Sequence, residues 1–131
     1  IIKKKAWVIL FGSPAEEKLN SSIASQINHS QVLDFTGQTS ITQMAGLLSA
    51  CKVLVTNDTG TMHVAAAVNT PVVAIFGPTD HITTSPFGNN HTIVRKEVAC
   101  APCLKRTCPT DHRCMTRISV EDVYKECEKY L

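Results

Sequence analysis

The sequence predicts an α/β fold, a parallel sheet flanked by helices, and three observations predict it. Apolar runs of strand length recur at 6–12, 32–37, 52–58 and 71–77. They are continuous rather than alternating, the pattern of strands buried on both faces. Between them lie segments whose apolar residues recur at helical spacing, so each strand is followed by a crossover and the strands run parallel. With 131 residues, 44% hydrophobic and 18% charged, the chain has the size and composition of one globular domain, 1–131, with a real core.

The elements follow in order. "AWVILFG" (6–12) is the first strand. Ser13, Pro14 and Glu16 supply an N-cap, a first-turn proline and a capping-box acid, and Leu19, Ile23 and Ile27 continue at helical spacing. "VLDFTG" (32–37) is the second strand. Ser40 and Gln43 form another capping box, opening a helix with Ile41, Met44, Ala45 and Leu48 on one face. "KVLVTND" (52–58) is the third strand. "MHVAAAV" (62–68) is a helix apolar nearly all round and rich in small residues, suited to lie close against a sheet. "PVVAIFG" (71–77) and "HTIVRK" (91–96) are the fourth and fifth strands. Ser119 caps a last helix with Val120, Val123, Tyr124, Cys127 and Leu131 on one side. The irregular regions 77–90 and 96–118 both follow strand ends, where open α/β sheets place their ligand sites.

The bulk properties exclude several classes. A net charge of +2 is too small to argue for nucleic acid or membrane. No apolar run is long enough to span a bilayer, and there is no signal-peptide pattern. Asn-x-Ser/Thr triplets at Asn57 and Asn90 read as chance matches. The chain opens on Ile1 rather than Met, so a fragment of a longer protein is expected.

Asp58-Thr59-Gly60 spells the active-site triplet of aspartic proteases. Those enzymes are all-β, whereas here an alanine-rich helix follows, so the protease reading is set aside. The triplet instead falls where the third strand turns into a helix. Helix N-termini leave N–H groups unpaired and carry partial positive charge, which makes them anion sites with phosphate as the usual guest. Gly60 lets a ligand approach the backbone, Thr59 offers a hydroxyl, and His63 shares their helix face. Asp58 would repel a diphosphate, which leaves it two roles, helix cap or acceptor for sugar hydroxyls. Equally open on the triplet alone is that Asp58 or Thr59 is only an N-cap and His63 a satisfied, partly buried residue. Neither GxGxxG nor GxxxxGK[ST] occurs.

"CAPCLKRTCPTDHRC" (100–114) sets Cys100, Cys103, Cys108 and Cys114 at C-x2-C-x4-C-x5-C spacing. Four thiolates could hold a zinc ion tetrahedrally; two disulfides, which a reducing cytoplasm disfavours, or four free thiols are the alternatives. Cys51 and Cys127 sit in helical patterns and read as small core residues. Lys105, Arg106, Arg113 and Arg117 add positive charge, so a zinc-stabilised basic binding module is the second class of function. The loop lacks the aromatic interleaving of nucleic-acid binders, so it is read as solvated, or as facing anionic lipid and sugar phosphates.

One longer stretch carries more. "VTNDTGTMHVAAAVNTPVVAIFGPTD" (55–80) resembles the donor-site signature of the glycosyltransferase family 9 heptosyltransferases. "ILFGSPAEE" (9–17), "FTGQTSITQMAGLLSACKVLV" (35–55), "CAPCLKRTCPTDHRCM" (100–115) and the closing "ISVEDVYKE" extend the likeness, in the same order, over nearly the whole chain. The resemblance implies the C-terminal half of a GT-B glycosyltransferase, a Rossmann-like nucleotide-sugar-binding domain. The N-terminal acceptor domain and its acidic general base would lie outside this chain, so the chain alone is expected to be inactive. It implies transfer of heptose from ADP-heptose to the lipopolysaccharide inner core, with inversion. The enzyme would be cytoplasmic, at the inner face of the bacterial inner membrane, with peripheral membrane contact and no nucleic-acid partner. No cofactor is required, structural zinc at the four cysteines being the open option, and no acidic pair stands out as a magnesium holder.

By the same resemblance Asp58, Thr59, Gly60 and His63 face the diphosphate and sugar, with Thr59 and His63 stabilising the leaving group. Glu16 holds the ribose, with Glu17 as the alternative and the capping box as Glu16's other reading. Gly37, Gln38 and Thr39 line the adenine, largely through backbone groups, and Pro78 and Thr79 lie near the sugar. A lysine that the family places before the first strand is not matched convincingly by Lys3, Lys4 and Lys5.

Overall fold

A computed structural model of the chain describes residues 6–131, so Lys3, Lys4 and Lys5 lie outside the described residues. The chain, read above as one domain, divides into two compact units, one through Leu47 and one from Leu48 to Leu131.

In the first unit, strand β1 (Val8–Leu10) pairs in parallel with β2 (Val32–Asp34), Val8 opposite Val32 and Leu10 opposite Asp34. A 3-10 turn over Pro14–Glu16 leads into helix α1 (Glu17–Ile27), which ends on Asn28 in the left-handed conformation. Helix α1 packs on β2. Its inward residues are the half-buried Asn20 and Ala24, not the expected apolar stripe: Leu19, Ile23 and Ile27 are 62%, 37% and 40% exposed. The reason is polar. The Asn20 amide donates both to the Phe11 carbonyl (3.1 Å) and to the Thr36 hydroxyl (2.8 Å), so the helix is turned to bring Asn20 to the strand ends. The second capping box forms as expected: Gln43 N–H donates to Ser40 Oγ (3.2 Å), and the Gln43 carbonyl oxygen Oε1 accepts from Ser40 N–H (2.9 Å). It opens α2 (Ile41–Ser49), which runs across the point of division. Leu48 on its expected inner face is fully buried, whereas Ile41, in the first turn, is 73% exposed.

The second unit is built on three parallel strands in the order β3 (Leu54–Asn57), β4 (Val72–Ile75), β5 (His91–Val94). Leu54 stands opposite Val72, and Val72 opposite His91. Helix α3 (Gly60–Ala67) connects β3 to β4 and packs on both, with Met62 and Ala65 fully buried. This meets the expectation that a small-residue helix lies close to its sheet. Thr70 closes the connection, its buried hydroxyl donating to the Leu48 carbonyl at 2.7 Å. The link from β4 to β5 contains no helix. Helix α5 (Val120–Cys127) instead covers Val73 and Val94 with Cys127, and Val53, Ile118, Val123 and Tyr130 pack around this cluster. Val120, assigned to the same side, is 78% exposed because it stands in the first turn, beyond the sheet contact. A short helix α4 (Arg113–Thr116) lies inside the region read as irregular. No helix of the described residues is long and apolar enough to cross a membrane.

Ser119 caps α5 with a reciprocal box: Asp122 N–H donates to Ser119 Oγ at 3.1 Å, and Asp122 Oδ2 accepts from Ser119 N–H at 2.8 Å. The same oxygen meets Lys96 Nζ at 2.9 Å. Lys96 first, then Ser119, holds the Asp122 carboxyl down at about 2, against an ordinary 3.8. A depressed folded-state value means that this stabilisation is fully present above 3.8 and disappears as pH falls through about 2. Urea midpoints measured across that interval should therefore converge for wild type and Asp122→Asn, while wild type stays the more stable above it.

Candidate functional site

The expected contacts fall into two groups, one in each unit. In the second unit, β3 ends at Asn57 and Thr59 is the N-cap of α3, with extended backbone (φ −146°, ψ 166°) and no side-chain capping hydrogen bond. The Thr59 hydroxyl lies 3.2 Å from the Thr56 hydroxyl instead. Gly60 is exposed, and a Cβ built on it would meet no atom within 4 Å. Space is thus open beside Gly60 in the first turn of α3, at the positive end of the helix.

His63 is exposed, which corrects the alternative that it is a satisfied, partly buried residue. The N-cap residue of α3 is Thr59 rather than Asp58, whose Oδ2 accepts from the Thr84 hydroxyl at 3.0 Å, across 26 positions of sequence. No sequence signal marked Thr84, because a hydroxyl in a loop has no periodicity to read. Its place is set by a turn that Asp80 organises, with the carboxylate accepting from Ile82 N–H (3.0 Å) and the Thr83 hydroxyl (3.1 Å). Ahead of that turn, Pro78 and Thr79 are half-buried, and the Pro78 carbonyl accepts from Cys103 N–H (3.0 Å) and Leu104 N–H (2.9 Å). The two irregular regions are therefore stitched to each other at the end of β4.

In the first unit, Glu16 is exposed and takes part in a capping arrangement. Its Oε2 accepts from Ser13 N–H (2.7 Å) and from the Ser13 hydroxyl (2.8 Å), and these two bonds hold its carboxyl below the ordinary carboxylate value. One carboxylate oxygen is committed to Ser13, and the other carries no protein partner in these bonds. Glu17 opens α1 and is exposed. Gly37 has φ +69°, a conformation that other residues adopt only with strain, and its N–H donates to the Gly12 carbonyl at 2.9 Å. Beside it lies an open depression of about 480 Å³ lined by Phe35, Gln38, Thr39, Gln43, Gly46 and Leu47. Apolar walls with amide and hydroxyl groups at the rim suit a flat heteroaromatic ring. A second depression, of about 220 Å³ between β5 and α5, contains none of the residues singled out by sequence.

The cysteine loop is arranged around Cys114, which is buried, with Cys100 exposed and Cys103 and Cys108 half-buried. All four thiols are free, and among the described residues no three of His, Cys, Asp and Glu are placed to hold a metal ion. The zinc expectation finds no support in this arrangement. Burial pushes the Cys114 thiol up, and the nearby Cys100, Cys108 and Cys103 add to it. The Cys108 thiol is pulled down, first by the Thr110 hydroxyl. Lys105, Arg106 and Arg117 are exposed, as a solvated basic loop requires. Helix α4 fits against the end of β4 because residue 77 is glycine: a Cβ there would sit 2.4 Å from Met115 Sδ and 3.5 Å from Cys114 Sγ.

Comparison with known proteins agrees with the geometry. The family model "Glycosyltransferase family 9 (heptosyltransferase)" matches residues 1–113. Lipooligosaccharide heptosyltransferase 2 of Campylobacter jejuni (strain 81116) is 34% identical over 127 residues, 93% of this chain and 40% of the relative. Lipopolysaccharide heptosyltransferase 2 of Escherichia coli K12 is 38% identical over 98 residues, 72% of this chain and 28% of the relative. The solved structure of E. coli ADP-heptose LPS heptosyltransferase II superposes with a TM-score of 0.78 at 31% identity, covering 95% of this chain and 36% of that one. E. coli heptosyltransferase WaaC with ADP shares the fold, with a TM-score of 0.72 at 22% identity over 95% of this chain and 34% of that one. The chain thus spans about two fifths of the length of the first of these relatives.

The close contact at Gly77 generates a test. Gly77→Ala forces the Met115 side chain away from the end of β4 and loosens its packing over Cys114, at a cost of up to about 1–3 kcal/mol by overpacking. Thiol labelling should then reach Cys114 faster than in wild type, while Cys100 keeps its rate.

Proposed function

Because the chain belongs to glycosyltransferase family 9, we propose that it forms the donor-binding half of a heptosyltransferase acting on lipopolysaccharide, with ADP-heptose as the donor. One observation carries this reading: the first turn of α3, where Thr59, Gly60 and His63 are exposed at the positive end of the helix and space is open beside Gly60. A diphosphate supplies the charge that such an end attracts. Asp58 is assigned to the sugar, since its carboxylate is engaged by one hydroxyl and retains acceptor capacity for others.

In the proposed reaction an acceptor hydroxyl attacks the anomeric carbon from the face opposite the diphosphate. The new C–O bond forms as the bond to the diphosphate oxygen breaks, and ADP leaves with the electron pair. The hydroxyl proton goes to an acidic base outside this chain, so configuration inverts. The residues of this chain hold the donor and offset the charge that grows on the departing ADP. Thr59, His63 and the α3 N–H groups do this as donors fixed before the reaction begins. No cofactor enters this scheme. The enzyme is taken to work in the cytoplasm, at the inner face of the inner membrane, in peripheral contact with it.

Calorimetric titration with ADP and ADP-heptose tests the assignments. Asp58→Ala is expected to weaken ADP-heptose about tenfold, the scale of one charge-assisted hydrogen bond, and to leave ADP no weaker. An equal loss for both ligands would remove Asp58 from the sugar. His63→Ala should slow transfer by the full-length protein more than it weakens donor binding. The chain alone should bind donor without turning it over, and measurable transfer by it would refute the assignment of the base.

A further inference from the structure

Outside glycine, the described residues that take the left-handed backbone conformation are Asn28, Asn69, His112 and Leu104. Asparagine and histidine tolerate it, whereas a leucine adopts it only under constraint. The Pro78 carbonyl supplies the constraint. It accepts from both Cys103 N–H (3.0 Å) and Leu104 N–H (2.9 Å), and these two bonds pin the chain at 103–104. With φ at +56°, Leu104 leaves its side chain 71% exposed. An asparagine would fit this backbone with less strain, and the fold draws little burial from the hydrocarbon. Ile82 is 79% exposed, and its N–H is held by Asp80, two residues beyond Pro78. Two apolar side chains therefore hang from one short segment, 78–80, in turns closed by hydrogen bonds.

Lys105 and Arg106 follow Leu104 directly, and both are exposed. The acids of these two loops are engaged: Asp80 by Ile82 N–H and the Thr83 hydroxyl, Asp111 by Arg113 at 2.8 Å. The surface thus joins exposed hydrocarbon to surplus positive charge. Two side chains offer too little area for a specific protein interface. They suffice at a bilayer, where apolar groups enter the boundary between headgroups and acyl chains while Lys and Arg stay with anionic phosphates. We propose that Ile82 and Leu104, with Lys105 and Arg106, form a docking surface for a bilayer that bears anionic phospholipid. The inference rests on the peripheral contact proposed above and deepens it by naming the residues that make it. The turn that carries Ile82 also donates the Thr84 hydroxyl to Asp58, so docking there brings the strand–helix corner to the membrane that holds a lipid-anchored acceptor.

The test is co-sedimentation of the full chain with vesicles of phosphatidylethanolamine and phosphatidylglycerol in equal parts, against vesicles of phosphatidylcholine alone. Wild type should sediment with the anionic vesicles, lose that binding as salt is raised, and stay in solution with phosphatidylcholine. Lys105→Gln with Arg106→Gln should lower partition about fivefold per charge, the scale of one basic residue at an anionic surface. Leu104→Asn keeps a residue suited to the left-handed backbone, so the loop still folds, and it should lower partition about fivefold as well. Melting temperatures equal to wild type separate lost docking from lost folding. Equal partition of wild type and these variants, or a wild-type chain that ignores anionic vesicles, would overturn the proposal. Full-length protein separates the two levels. If it binds the anionic vesicles and the same variants do not weaken it, peripheral contact stands and this surface is wrong. If it binds neither kind of vesicle, peripheral contact itself falls, and the proposal with it.

Discussion

The second unit depends on one constraint, that β4 has no side facing water. It is hydrogen-bonded to β3 along one edge and to β5 along the other, and Val72, Val73 and Ala74 are all fully buried. By strand alternation, Val73 faces the Cys127 cluster while Val72 and Ala74 face the other way. Both layers of this unit must close on the same short strand, which explains its unbroken apolar sequence. A fully buried valine contributes about 1.5–3 kcal/mol, so the strand is the energetic centre as well as the geometric one. Its ends then have fixed places. At its C-terminal end Phe76 is buried, Gly77 admits Met115, and Pro78 binds the cysteine loop. Beside it β3 ends in parallel register, Asn57 opposite Ile75, so the Asp58–Gly60 corner emerges at the level where the 77–84 segment begins.

The first unit is held by a different device. Asn20 spends both amide hydrogens on Phe11 and Thr36, and Thr36 in turn supplies N–H and hydroxyl bonds that hold the Asp34 carboxyl below its ordinary value. The ends of β1 and β2 are joined by polar bonds to a helix that has no buried residue. This fixes the Gly12–Gly37 contact and the shape of the depression next to it.

Much of this was legible in the sequence, for physical reasons that differ by element. Strand β4 was readable because burial on both faces leaves a continuous apolar run. The box at Ser40 and the cap at Ser119 were readable because capping is a local transaction over three residues. The strand-to-helix corner at Asp58 was readable because a change of period marks it. What escaped depends on partners distant in sequence. The outward turn of Leu19, Ile23 and Ile27 follows from Asn20 reaching Thr36, sixteen positions on. Asp58 finds its partner in Thr84, twenty-six positions on, and the seating of α4 follows from the missing side chain at Gly77. Spacing alone placed the four cysteines in one loop, but tetrahedral reach is a property of the loop's path, which spacing does not determine.

The helix-free link from β4 to β5 bears on how the chain is made. In a parallel pair joined by a crossover helix, the helix that covers the pair is synthesised between its strands. Here the cover for Val73 and Val94 is Cys127 of α5, more than thirty residues beyond β5. Until that helix leaves the ribosome, one face of the three-stranded sheet is bare hydrocarbon. The second unit is therefore obliged to close late, after its C-terminal helix has appeared, and during elongation its nascent strands are a natural client for a chaperone that shields apolar surface.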